Sequence, residues 1–167
     1  MEFDTSKSDD KQYVLERVSY KGSLLDLASD RLKNDKEVVL AAIKQDGNAL
    51  EFASKELKDD KEVVLESIKK VGWTACYVSD RLADDKEVML NAVKIDGQEL
   101  YYASPKLRDD YDVVLEAVSK KGLILKYASK RLRANKEIVQ AAIQNYKNAV
   151  EYISDENLKE EMAKSEN

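Results

Sequence analysis

Three aspartate pairs, Asp59-Asp60, Asp84-Asp85 and Asp109-Asp110, recur 25 residues apart. Stacked carboxylates are the raw material of a metal site or of general acid/base catalysis. A calcium site also needs carbonyl or amide oxygens converging from a loop. Acid/base work needs a pocket that lifts one carboxyl pKa. The flanking residues suggest neither, and helix capping accounts for the pairs. The chain has no His, which removes Ser-His and Cys-His nucleophile pairs and His-ligated zinc. Its single Cys, Cys76, can form neither an internal disulfide nor a CxxC site. The expectation is a protein that is not an enzyme, with no cofactor and no metal.

Three further groups of residues carry binding chemistry. An aromatic column, Phe52, Tyr77, Tyr102, Tyr127 and Tyr152, returns once per 25 residues. It suits either a stacking platform for bases or a packed ladder with hydroxyls at the rim, and its fixed phase with buried Leu positions favours packing. Around a recurring Gly, apolar residues stand where the repeat leaves the choice open: Tyr20, Val71, Trp73, Ile95, Leu123, Ile124 and Tyr146. The second repeat carries Gln45, Asp46, Asn48 and Ala49 there, so these seven read as a partner-binding edge with Trp73 as its anchor. The third group is basic. Arg31, Lys33, Lys58, Arg81, Lys106, Arg108, Arg131 and Arg133 flank a periodic Leu, and Lys120, Lys121, Lys126 and Lys130 extend the patch. Residues 110–134 hold six cations against three anions, a net of +3. Such a stripe fits an acidic partner, nucleic acid or an anionic lipid headgroup, or pairs with nearby Asp residues on a solvated face.

All of these groups share one period. Asp10, Asp35, Asp60, Asp85, Asp110 and Asn135 open successive 25-residue units (10–34, 35–59, 60–84, 85–109, 110–134, 135–159), and no insertion breaks the register. Residues 1–9 form a polar N-terminal segment and 160–167 an acidic, frayed tail. Each unit predicts an N-cap at Asn34, Asp59, Asp84 or Asp109, with the next Asp in the first helical turn and Glu or Asp three residues after the cap. An apolar helix face such as Val38, Val39, Ala42 and Ile43 follows. Gly47 and its equivalents end the helix in a left-handed conformation. A shorter helix comes next, and then a turn capped by Ser54 that plants Leu57. Lys147 replaces Gly in the sixth unit, which predicts that its two helices merge. Helices this short stand only when stacked, so the fold class is all-α: short-helix tandem repeats of period 25 stacked into a right-angled or superhelical α-solenoid.

At 167 residues, 43% apolar and 37% charged, the chain can bury a core beneath a very polar surface. A net charge of -5 argues against a simple basic nucleic-acid binder, and five Gly with one Pro are too few for a hairpin-rich β fold. The sequence contains no run apolar enough to span a bilayer. The polar start, MEFDTSKSDD, is unlike a secretory signal, so a cytoplasmic setting is expected. The end, LKEEMAKSEN, is superficially similar to acidic secretion signals and reads as a solvated tail.

The phrase DKEVVLAAIKQDGNALEFASKELKDDKEVVLESIKKVG closely resembles the tandem helical repeat known as domain of unknown function 4116, from about Asp10 to Ser154. Members form tandem arrays, often in secreted effectors of intracellular bacteria and in proteins of protists and large viruses. The resemblance implies a helical repeat with a binding role and no reaction, and delivery into a host cell where a member is an effector. The functional expectation is a non-enzymatic protein-protein interaction module. A binder of nucleic acid or anionic headgroups through Lys120, Lys121, Lys126, Lys130, Arg131 and Arg133 is the alternative. It predicts affinity that falls steeply with salt.

Overall fold

The computed structural model describes residues 3–71 and 75–164. It divides into two compact units, Met1–Leu82 and Ala83–Asn167. In the first, long helices Lys11–Tyr20, Lys36–Gln45 and Lys61–Val71 are followed by 3₁₀ helices Gly22–Leu27, Gly47–Phe52 and Ala75–Tyr77. In the second, helices Lys86–Ile95, Tyr111–Lys120 and Lys136–Asn145 are followed by 3₁₀ helices Gly97–Tyr102, Gly122–Tyr127 and Lys147–Tyr152. A serine-capped turn closes each of the first five repeats, as at Lys55–Lys58, where the Ser54 hydroxyl accepts from the Leu57 amide at 3.2 Å; in the sixth, Asp155 takes the cap. The serine-capped turn drives Leu32, Leu57, Leu82, Leu107 and Leu132 into the core. The long helices add Val38, Val39, Ala42 and Ile43, all without exposure, and the same holds for their equivalents in the third, fourth and fifth repeats. Full burial of each such side chain contributes about 1.5–3 kcal/mol, so this apolar seam supplies most of the stability.

The helix caps sit one residue later than the pattern predicts. Asp35 accepts from the Glu37 and Val38 amides at 3.1 and 3.3 Å, and Asp60, Asp85 and Asp110 do the same in their repeats. The Ser-capped turn continues through Asn34, whose φ of -103° and ψ of 6° are those of a turn's last residue. Only Asp35, at φ -90° and ψ 111°, has the extended backbone an N-cap requires. The Lys after the cap reaches the next repeat: Lys36 Nζ lies 2.8 Å from both Asp60 and Glu62, and Lys11 pairs with Asp35 and Glu37 in the same way.

The glycines also have a different purpose. None of Gly22, Gly47, Gly97 and Gly122 takes a left-handed backbone. Helices Lys11–Tyr20, Lys36–Gln45, Lys86–Ile95 and Tyr111–Lys120 instead end on an extended residue, Asp46 at φ -144° for example, and Gly opens the 3₁₀ helix that follows. A Cβ on Gly22 would stand 2.5 Å from the Ala42 carbonyl oxygen, and one on Gly47 would stand 2.8 Å from Lys70 Cβ. Gly97 and Gly122 meet the Ala117 and Ala142 carbonyls likewise. Glycine is required because the last turn of the next repeat's long helix passes directly against it.

The sixth repeat follows from this. Its helices do not merge: Tyr146 is extended at φ -147°, and Lys147 opens a separate 3₁₀ helix with its side chain exposed. Nor do residues after 159 fray at once. The helix Glu156–Lys164 buries Leu158 and Met162 one turn apart. At the other end, the 3₁₀ turn Thr5–Lys7 and Asp9 already belong to the packed structure, since Asp9 binds Ser29 and Arg31. No helix among the described residues is long and apolar enough to cross a membrane.

Gly122→Ala is expected to lower the unfolding free energy by about 1–3 kcal/mol through overpacking. Lys147→Ala should stay within ~0.5 kcal/mol. Urea denaturation measures both, and equally small losses would contradict the close-approach role of the glycines.

Candidate functional site

The first Asp of each pair is a clasp between repeats. The Ser79 and Ser129 hydroxyls donate to Asp59 and Asp109, and Ser29 and Ser104 donate to Asp9 and Asp84 at 2.5 Å. Arg81 and Arg131 then add Nε to the same carboxylates at 3.0 Å and Nη2 to the backbone carbonyls of Asp59 and Asp109. Arg31 makes the same two bonds to Asp9, and Lys106 pairs with Asp84 at 3.1 Å. The serine hydroxyl first, and then the cation, hold Asp9, Asp59, Asp84 and Asp109 below the usual carboxylate range. Burial works to raise Asp35, Asp60 and Asp110, but the Lys from the preceding repeat and the capped amides prevail and keep them low.

These bonds occupy the basic stripe. Arg31, Arg81, Lys106 and Arg131 have Asp partners, Lys33 lies 3.9 Å from Asp26, and Lys58, Arg108 and Arg133 donate to the carbonyls of Glu51, Ala103 and Tyr152. Lys120 and Lys130 remain as exposed side chains.

The residues of the Gly-turn edge differ in exposure within each unit. Tyr20 is 71% exposed in the first unit, and Ile95 (52%) and Tyr146 (39%) are exposed in the second. Val71 is half-buried, in the helical turn that passes Gly47. Trp73 lies outside the described residues. Ile124 is a correction: it is only 3% exposed, because its place in the repeat is that of buried Ala49 and Ala149.

Ile124 and Leu123 nonetheless meet part of the aromatic column. In the second unit, the 3₁₀ helices Gly97–Tyr102 and Gly122–Tyr127 enclose a cleft of about 290 Å³, whose lining includes Ile124, Leu123, Tyr101, Tyr102, Tyr127, Gln98, Lys121 and Lys126. In a 3₁₀ helix side chains three apart eclipse, which puts Tyr101 over Gln98, Lys126 beside Leu123 and Tyr127 beside Ile124. Fully buried Leu100 and Leu125 anchor the two helices to the core. The Tyr101 ring lies 4.9 Å from both Tyr102 and Tyr127, at interplanar angles of 84° and 72°. Lys126 Nζ sits 4.8 Å over the Tyr127 ring, a cation–π contact. Lys121 makes no capping bond with its side chain, which donates instead to Gln98 Oε1.

Tyr101 was not among the sequence candidates. Its column otherwise reads Asp26, Glu51, Cys76, Lys126 and Glu151, so a tyrosine there breaks a mostly charged pattern. The larger groove of about 550 Å³ that includes Leu15, Leu40 and Ala41 is less informative. A smaller groove beside Ala141, the equivalent of Ala41, recurs in the second unit, so the grooves express repeat packing.

Helices built on one repeated unit, joined by one repeated set of bonds, define an all-α tandem-repeat protein. The chain belongs to the family described as Domain of unknown function (DUF4116), whose model matches residues 10–58, 60–108 and 110–159 in tandem. The third match runs on through the sixth repeat. No curated protein and no solved structure matches the chain. Each family match spans two 25-residue repeats, and neighbouring repeats do differ. The Asp–Ser–Arg clasp joins Asp9, Asp59 and Asp109 to Arg31, Arg81 and Arg131, 50 residues apart. In between, Asn34 bonds Ser54 where Glu56 holds the Arg position, Lys106 serves Asp84, and Ser154 turns to the Lys130 carbonyl.

Ile124→Ala should cost about 2–5 kcal/mol of stability as a loss from the core. Tyr101→Ala at the rim should cost about 1 kcal/mol. Chemical denaturation of the two variants separates floor from rim, and similar losses would contradict this placement.

Proposed function

We propose that this chain is a non-enzymatic protein-interaction module whose second unit binds a protein partner at the tyrosine cleft. The observation that carries the reading is the exposure of Tyr101 (47%) and Tyr102 (40%) beside a concave, partly apolar site. Exposed tyrosines with a buried aliphatic floor are the composition of interaction hot spots, since Tyr offers large contact area and a hydrogen-bonding hydroxyl. The alternative, a binder of nucleic acid or anionic headgroups, has less support because Arg31, Arg81, Lys106 and Arg131 already serve as inter-repeat partners of Asp residues. The protein works in the cytoplasm. The occurrence of family members in effectors of intracellular bacteria extends the proposal to a host protein as partner.

The test is affinity capture from a host lysate with the wild-type chain, Tyr101→Ala/Tyr102→Ala and Lys120→Glu/Lys130→Glu, each first shown by thermal melting to be folded. A protein retained by the wild type should lose about 2 kcal/mol or more of affinity with the tyrosine pair and little with the lysine pair. Capture of nucleic acid or lipid, lost with the lysine pair instead, would overturn the proposal.

A further inference from the structure

The tyrosine cleft has a chemistry more specific than a generic apolar patch. At about 290 Å³ it lies at the small end of ligand sites, so it suits one side chain of a larger partner better than a whole cofactor. The residues lining it include two lysines and no carboxylate. The charge around it is equally one-sided. Residues 117–136 contain seven Lys and Arg and not one Asp or Glu, in a chain whose net charge is -5. Acids close by in sequence are Asp96, whose carboxylate is taken up by the Gln98 amide at 2.9 Å, Glu99, which is buried, Glu116 and Glu137 just beyond the two ends of that segment, and Glu151 on the following 3₁₀ helix.

The ring geometry separates the classes of partner. Sequential base stacking along a single strand calls for aromatic faces presented one after another. Here Tyr101 stands edge-on to both neighbours, at 84° to Tyr102 and 72° to Tyr127, so the three rings wall a socket and do not form a staircase. A socket with an aliphatic floor takes an inserted side chain. The Lys126 ammonium, resting over the Tyr127 ring, and Lys121, held by Gln98, both line the cleft and supply its positive charge.

We infer that the cleft takes a short acidic peptide segment, which seats one apolar side chain over Ile124 between Tyr101 and Tyr127 and sets its carboxylates against Lys121 and Lys126. This rests on the reading of the cleft as a protein-binding site and names the partner's chemistry. A carboxylate draws Lys126 Nζ from the Tyr127 face into a charge-assisted hydrogen bond.

Fluorescence anisotropy tests it with the full chain and a short labelled peptide of Glu and Ser carrying one central Phe. Parallel probes replace Phe by Ala, replace Glu by Lys, or substitute single-stranded DNA. The Glu/Phe peptide should bind the wild type, lose roughly ten-fold or more without its Phe, and lose roughly ten-fold against Lys121→Glu/Lys126→Glu. The Lys/Phe peptide should bind the wild type at least as weakly, and gain on the charge-reversed chain. No binding of the Glu/Phe peptide, or binding that ignores the lysine pair, overturns the inference. If the Lys/Phe peptide binds as tightly and depends on Tyr101, the acidic class falls while the protein-binding reading stands. DNA bound more tightly than the peptide, and lost with the same lysines, overturns both.

Discussion

A serine amide reaching back to the carbonyl that ends the preceding repeat's turn is the bond on which this architecture turns. Ser29 binds Ser8, Ser54 binds Lys33, Ser79 binds Lys58, Ser104 binds Ala83, Ser129 binds Arg108 and Ser154 binds Arg133, at 2.8–3.2 Å. Each bond contributes only about 0.5–1.5 kcal/mol net, less than the burial of a single core leucine. Its importance is positional. Apolar helix faces pack in many registers, whereas a donor and acceptor at fixed places in every repeat satisfy each other in one. In the first five repeats the same serine caps the turn that buries the periodic Leu, so one residue couples the inter-repeat register to the core.

Everything else at the repeat boundary refines that alignment. The first Asp of each pair receives the serine hydroxyl, the second caps the next helix, and the Lys after it crosses to the following repeat. Because the layers are held this close, glycine must stand where a 3₁₀ helix meets the next long helix. The 3₁₀ helices are thereby brought side by side, and in the second unit this sets Tyr101 against Tyr127 and opens the cleft. The candidate site is a consequence of repeat packing decorated with residues that the repeat itself does not require.

The sequence carried the architecture more fully than the site. Period, helical class, buried Leu and capping Ser are all legible, since each is a local preference multiplied by repetition, whereas the 3₁₀ form of the shorter helix is not. The cap register was missed by one residue because an Asp-Asp pair offers two good acceptors. Deciding between them requires knowing that the Ser-capped turn runs through the first. Gly was assigned to a left-handed helix end because that is its commonest local reason; close approach to a neighbouring backbone is a tertiary constraint with no local mark. Ile124 reads along the chain as part of a binding edge, yet its column holds apolar Ala49, and Tyr101 stands out only against a column that is mostly charged. Both were recoverable by reading down columns as well as along the chain. The 50-residue alternation was equally present, in Arg31, Arg81 and Arg131.

Native-state amide hydrogen exchange tests the account most directly. The amides of Ser29, Ser54, Ser104 and Ser129 should exchange as slowly as the core helix amides of their own unit, such as Val39 and Val114, through opening of the stacked repeats. Exchange of these serine amides at the rate of exposed turns, with the helices still protected, would show that the helices stack without the clasp and would contradict its role in setting the fold.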